Sequence, residues 1–233
     1  LRKGERAVIP VKSFALEYED VYSLKLPITP PSDVRVNWND QQRDEVAKML
    51  RESKMQHVLR IKNTSNAPLT TAPTLFLKGS QVLSQGLMTY TAIGATSDIV
   101  LATAVDIRYT KEEKETSREP SVEHWNGHDF ARVNYAGVIT LENYKSKPVK
   151  VEVVRSVLGN VGETDQNGTA IMLNQFEDSE DHIDLGSRPM WWGWYSWPYG
   201  WFHFNGMGAF TWTVTVEPGK PMKLNYSWNY YWP

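Results

Sequence analysis

The chain has 233 residues, no cysteine, and 25 basic against 27 acidic side chains, for a net charge of −2. This balance, with no long basic run, excludes nucleic acid as a natural partner, and the missing thiols exclude disulfides, thiolate zinc sites and cysteine nucleophiles together. A chain of this length buries most of the surface it exposes when unfolded and needs no metal or disulfide staple. Length alone allows one large all-β domain or two small ones, and the strand pattern leads us to read residues 1–233 as a single domain.

Most of the chain has the two-residue period of β-strands. Ala7 to Val11 and then Phe14 to Leu26 open it. Phe14, Leu16 and Tyr18 fall on one side, and a phase drift after Glu19 and Asp20 suggests a turn or bulge. One helix is expected over about 40–53. Asn39 caps it, Gln42 completes a capping box, and Val46, Met49 and Leu50 form its apolar stripe, so it should lie on the surface of a sheet.

Alternation returns at Met55, His57, Leu59 and Ile61, followed by a loop, NTSNAPLTTAP. Strands are expected at Thr74 to Lys78, Val82 to Met88 and Ile99 to Tyr109, with a turn at Gly79 and Ser80. The charged run KEEKETSREPS, from Lys111 to Ser121, reads as a solvated loop or fraying strand end. Phe130 to Asn143 and Val149 to Leu158 are expected to pair through a turn at KSKP. Trp212, Val214 and Val216, a Pro218-Gly219 turn, and Met222, Leu224, Tyr226, Trp228 and Tyr230 read as a hairpin with one aromatic face. The sum is an all-β, antiparallel β-sandwich with one surface helix and a long aromatic-rich insertion at about 163–208. No internal repeat of fixed period is visible.

The stretch NTSNAPLTTAPTLFLKGSQVLSQGLMTYTAIGATSDIVLATAVDI, from Asn63 to Ile107, resembles the C-terminal domain of the mucoidy-inhibitor-A-like bacterial proteins. GVITLEN (Gly137 to Asn143), VEVVRSVLGNV (Val151 to Val161) and the closing VEPGKPMKLNYSW are similar as well. The resemblance implies a β-rich domain of unknown function, exported, periplasmic or envelope-associated, and the C-terminal part of a longer protein. It transfers no catalytic residue. The coiled coil that commonly precedes that domain is missing, and Glu163 to Gly208 has no counterpart in it. The start at Leu1 reads as that of a trimmed or processed chain; no signal-peptide pattern is present, and no apolar run approaches the ~18 residues that span a bilayer.

Enzyme signatures are scarce. The sequence contains no G-x-S-x-G, P-loop or H-E-x-x-H, and Gly206-Met207-Gly208 lacks the third glycine of a phosphate cradle. His124 and His128, four apart in EHWNGHD, have helical metal-ligand spacing, but Asn126-Gly127 is a turn signal, so the plain reading is a hairpin tip. In EDSEDHID, Asp178, Glu180 and Asp181, flanked by Glu177 and Asp184, offer hard oxygens to calcium without the glycine and terminal glutamate of an EF-hand. His57 falls on an apolar strand face, where a hydrogen-bonded residue at the core edge is the usual outcome. No other cofactor is expected.

The stretch WWGWYSWPYGW holds five of the chain's ten tryptophans. Three readings compete for Trp191, Trp192, Trp194, Tyr195, Trp197, Tyr199 and Trp201. They form a minicore against the sandwich, meeting Trp212, Trp228 and Trp232; or an interaction surface or homo-oligomer seam; or a platform for sugars or a membrane boundary. The acidic segment Glu177 to Asp184 argues against anionic membranes. The leading expectation is a non-enzymatic structural or protein-interaction module of the bacterial cell envelope. Carbohydrate binding through the tryptophans is the alternative, and a metal-dependent hydrolase using His124 and His128 the remote one.

Overall fold

The computed structural model describes residues 12–36, 38–173, 190–194 and 196–233. The strand expected at Ala7 to Val11 lies outside the described residues. The strands are β1 (Tyr18–Leu26), β2 (Gln56–Lys62), β3 (Ala72–Lys78), β4 (Gln81–Met88), β5 (Thr96–Thr103) and β6 (Ile107–Trp125). They continue with β7 (His128–Asn143), β8 (Val149–Leu158), β9 (Asn160–Thr164), β10 (Thr169–Leu173), β11 (Met207–Val216) and β12 (Met222–Trp232). The helices are α1 (Asp40–Glu52) and the single turn α2 (Trp201–Phe204). The chain divides into two compact units, Leu1–Asp20 with Val58–Ala102 and Val21–His57 with Thr103–Pro233.

The larger unit is a sandwich of two sheets. One has the order β10-β11-β8-β1, the other β6-β7-β12-β9. Inward residues of both sheets make the core: Leu24, Val151, Val153, Phe210 and Trp212 from the first, and Val133, Ile139, Leu141, Leu224, Tyr226 and Tyr230 from the second. Among the described strands of this unit β10-β11, β11-β8, β6-β7, β7-β12 and β12-β9 pair antiparallel, whereas β1 and β8 run parallel from Val21 opposite Lys150 to Leu26 opposite Arg155. Helix α1 forms where its cap dictates. Asn39 Oδ1 accepts from the Gln42 amide at 2.9 Å and the Asn39 amide donates to Gln42 Oε1 at 3.1 Å, while Val46 is its buried residue.

In the smaller unit β2 neighbours β5, and β3 pairs with β4 in a two-stranded sheet. A Cβ placed on Gly86 of β4 would meet Ile99 Cγ2 of β5 at 3.3 Å, so the two pairs pack closely.

Each unit is closed by the same asparagine clasp. At the end of β2, Asn63 Oδ1 accepts from the Ser65 amide at 3.1 Å, and Nδ2 donates to the carbonyls of Ala67 and Thr91 at 3.0 Å each. At the end of β7, Asn143 Oδ1 accepts from the Lys145 amide, and Nδ2 donates to the carbonyls of Lys147 and Val216, all at 2.9 Å. Proline follows five residues after each, at Pro68 and Pro148. The carbonyls of Asn63 and Asn143 accept from Gly94 at 2.8 Å and Gly219 at 2.9 Å, glycines in the left-handed region with φ of 80° and 66°. The strands follow suit: β2-β5 and β3-β4 in one unit match β7-β12 and β8-β11 in the other. The two units thus share an asparagine clasp and a nested strand pairing, with no periodic sequence repeat visible.

Five expectations are corrected. Strand β1 starts at Tyr18, not Phe14, and passes Glu19 and Asp20 without a turn. The strand expected over Ile99 to Tyr109 breaks after Thr103 and restarts at Ile107. Lys111 to Ser121 is no loop but part of the 19-residue β6, whose side chains Lys111 and Glu113 follow Ile107 and Tyr109 on the less exposed face. Strands β7 and β8 do not pair, because the Asn143 clasp carries the chain from one sheet to the other. For the same reason β11 and β12 are no hairpin: each alternates as expected, but they belong to opposite sheets and meet through side chains, Trp212 and Tyr226 lying 5.8 Å apart.

Gly137 shows how tightly the second sheet is built. It lies opposite Tyr226, and a Cβ there would sit 2.2 Å from the ring Cζ. The ring cannot retreat, since its hydroxyl donates to Glu113 Oε1 at 2.5 Å. Gly137→Val should destabilise the protein by about 3 kcal/mol, the upper end of overpacking costs; urea unfolding with an unchanged slope is the check.

Candidate functional site

Two features concentrate chemistry in the larger unit. The first is a buried charge network. Arg155 stands on β8 in phase with Val149, Val151 and Val153, so strand alternation turns its side chain inward. Its guanidinium donates through Nε and the Nη2 nitrogen to Glu113 Oε1 at 3.0 and 2.8 Å, and through Nη2 to Oε2 at 3.0 Å. Nη1 donates to the carbonyls of Pro27 and Ser156 at 2.6 Å each, and Nη2 also reaches Thr29 Oγ1 at 3.0 Å. Lys111 Nζ adds a bond to Glu113 Oε2 at 2.9 Å. Burial raises the Glu113 pKa, but the charges of Arg155 and Lys111 and the Tyr226 hydrogen bond outweigh it and hold the carboxyl at about 2. The Lys111 ammonium is pushed down, by burial first and by Arg155 second. Tyr226 is pushed up by burial and by the adjoining carboxylate. Glu113 is thus a fixed, saturated anion, unlike a general acid or base, which needs a pKa near the working pH.

Beside this network lies a half-open pocket of about 270 Å³, lined by Lys111, Glu113, Arg35, Tyr135, Val46 and Leu50 among others. Tyr135 stacks on Trp228 at 4.8 Å and shares a 2.9 Å hydrogen bond with Ser32 Oγ. No feature of the sequence reading marked this place, because Lys111 and Glu113 were assigned to a solvated run. The available signal was Arg155, an arginine at an inward position of an otherwise apolar strand.

The second feature is the aromatic segment. Trp191 and Trp201 are 0% and 1% exposed and belong to the core. Trp192, Trp194 and Trp197 are half-buried against it, and Tyr195 lies outside the described residues. The rings interlock: Trp192 with Trp197 at 4.9 Å, Trp197 with Trp201 at 5.0 Å, and Trp201 with Trp232 and Tyr230 at 5.7 Å each. Trp194 meets Trp38 edge-on at 5.6 Å. Of the expected neighbours, Trp232 is met directly, whereas Trp228 is reached through Tyr230 and Trp212 packs with Phe210 and Tyr226. The indole nitrogens of Trp38, Trp191, Trp201 and Trp228 are buried without an acceptor among the described residues, a cost that ring packing must exceed. Among the described residues of the segment, the large hydrophobic side chains of Tyr199 and Phe202 are 60% and 59% exposed.

The histidines fall apart as a metal pair. Asn126 and Gly127 form a two-residue turn with left-handed φ at both, joining β6 to β7. His124 pairs with Asp129 and Trp125 with His128, so alternation puts the two imidazoles on opposite faces of the ribbon. His124 Nδ1 lies 2.7 Å from Asp129 Oδ1, while His128 neighbours Tyr199 at 5.8 Å. Asp178, Glu180 and Asp181 lie outside the described residues, as do Glu177 and Asp184. Among the described residues no three histidine or carboxylate side chains gather as a metal site. His57, half-buried, stacks on Tyr22 at 4.9 Å.

A third feature lies in the smaller unit. Leu75, Leu77, Val82, Leu83 and Leu87 of β3 and β4 are each more than half exposed. Their signal was legible in TLFLK and QVL, where apolar residues occupy consecutive positions and both strand faces are therefore apolar. No helix among the described residues is long and apolar enough to cross a membrane. No family model, curated protein or solved structure matches the chain.

Two outcomes follow. Acrylamide should leave most of the cluster's emission unquenched and blue-shifted, measured as the difference between the native chain and a folded variant with its five clustered tryptophans changed to phenylalanine. Glu113→Gln should cost about 3–5 kcal/mol at pH 7, since it leaves Arg155 buried without its counter-charge. The folded pKa of about 2 lies below the ordinary 4.5, so this stabilisation is complete above pH 4.5 and lost as pH falls toward 2. Denaturant melts of both proteins across that window should converge at the acid end.

Proposed function

We propose that the chain is a non-enzymatic protein-interaction module, working at the bacterial cell envelope as its resemblance to the mucoidy-inhibitor-A-like domain implies. The observation that carries the reading is the β3-β4 face. Five aliphatic side chains more than half exposed on one hairpin form the kind of apolar surface that monomeric proteins avoid and partner-binding proteins keep. The occupant is a protein presenting an apolar face of its own. Aliphatic side chains offer neither the flat rings that match a sugar nor the cations that hold nucleic acid. Among the described residues no further strand joins β3 and β4, and a sheet edge is a surface on which an added strand can pair. The saturated state of Glu113 supports a role without acid–base chemistry.

The test is sedimentation of the labelled chain with isolated bacterial envelopes. Leu75→Glu with Leu87→Glu, checked for folding by circular dichroism, should weaken binding at least tenfold, ~1.4 kcal/mol. Protease treatment of the envelopes should abolish binding, and glycan digestion should leave it intact. Loss after glycan digestion and after Tyr199→Ala, with the leucine variant binding normally, would replace this reading with glycan recognition through the aromatic rim.

A further inference from the structure

The pocket beside the Arg155–Glu113 network has a charge arrangement that the network itself does not need. Lys111 and Arg35 both line it, and the positive charge of Arg35 is felt at Lys111. Lys111 spends one of its three N–H donors on Glu113, and among the described residues the Arg35 side chain has no hydrogen-bond partner. Two cations that repel one another thus approach a common space with donors to spare. Glu113 does not fill that need. Its oxygens are engaged by Arg155, Lys111 and Tyr226, and among the lining residues Arg35 and Lys111 stand against its single negative charge. The rest of the lining is mostly apolar or aromatic, with Pro30, Pro31, Val46, Leu50, Tyr135 and Trp228 beside the hydroxyls of Thr29 and Ser32.

We propose that this pocket binds a small organic carboxylate, its charged end between Arg35 and Lys111 and its apolar body against Val46, Leu50 and Tyr135. A carboxylate relieves the repulsion between the two cations with charge-assisted hydrogen bonds, while the body displaces water from the apolar wall. Inorganic phosphate satisfies only the first condition and a neutral amide only the second. The volume, about 270 Å³, suits a single small ring or a short acyl chain rather than a polymer.

The experiment is a titration of the ¹⁵N-labelled chain with benzoate and hexanoate, followed by amide chemical shifts, with benzamide and inorganic phosphate as controls. Saturable shifts are expected in Thr29 to Arg35, Val46 to Leu50 and Lys111 to Glu113, with both controls weaker by roughly tenfold or more. Arg35 is exposed, so Arg35→Gln should fold normally and weaken benzoate roughly tenfold while leaving benzamide unchanged. Lys111→Met should do the same if it folds. Absence of saturable shifts with either carboxylate overturns the proposal. So does equal binding of benzamide or phosphate, or an Arg35→Gln variant that binds benzoate as the native chain does.

Discussion

The larger unit is organised around one buried ion pair. Arg155 is carried by β8 in one sheet and Glu113 by β6 in the other, so their contact ties the two layers across the core. Charges removed from water are tolerated only when paired and fully hydrogen-bonded, and here the guanidinium reaches two carbonyls, a hydroxyl and the carboxylate. Such a pair tolerates little slippage. Moving β6 by one residue would turn Glu113 outward and leave Arg155 buried alone, which makes the pair a register lock. The lock extends to Tyr226, whose hydroxyl serves Glu113 and whose ring occupies the space over Gly137. One arginine thereby fixes a lysine, a tyrosine and the glycine facing it.

Loops are fixed by a different means. Asn63 and Asn143 each use one amide to close a turn on itself and to hold the strand end returning beside it. Asn205 does the same near the aromatic segment, donating to the carbonyls of Trp201 and Tyr231 and accepting from the Tyr231 amide. A buried asparagine with every group satisfied acts as a rivet, because one side-chain amide bonds backbone groups of two separate segments at once. The same clasp and nested strand pairing recur in both units. Among the described residues no further strand joins β3 and β4, and five of their aliphatic side chains are more than half exposed.

The aromatic segment answers its own question in the core. Trp191 and Trp201 are buried, Trp192, Trp194 and Trp197 are half-buried against the core, and Tyr199 and Phe202 are the large hydrophobic side chains exposed among the described residues of the segment. A dense run of tryptophan is thus packing first. Among the described residues it exposes two large hydrophobic rings by more than half, against five aliphatic side chains of β3 and β4, and the proposal of a protein partner rests on that difference.

The sequence by itself determined the fold class, helix α1 with its capping box, the hairpin tip at Asn126 and Gly127, and the inward faces of β11 and β12. All of these rest on contacts within a few residues or on the two-residue strand period, which a linear sequence carries in full. Tertiary structure alone decided which strands are neighbours. Alternation gives the same pattern whether β12 pairs with β11 or faces it across a core, and an asparagine clasp that sends the chain to the opposite sheet looks locally like a hairpin turn. It also decided the meaning of KEEK. A lysine and a glutamate in a strand read as solvated until an arginine more than forty residues away turns inward to meet them, and only the packing of the two sheets brings those charges together.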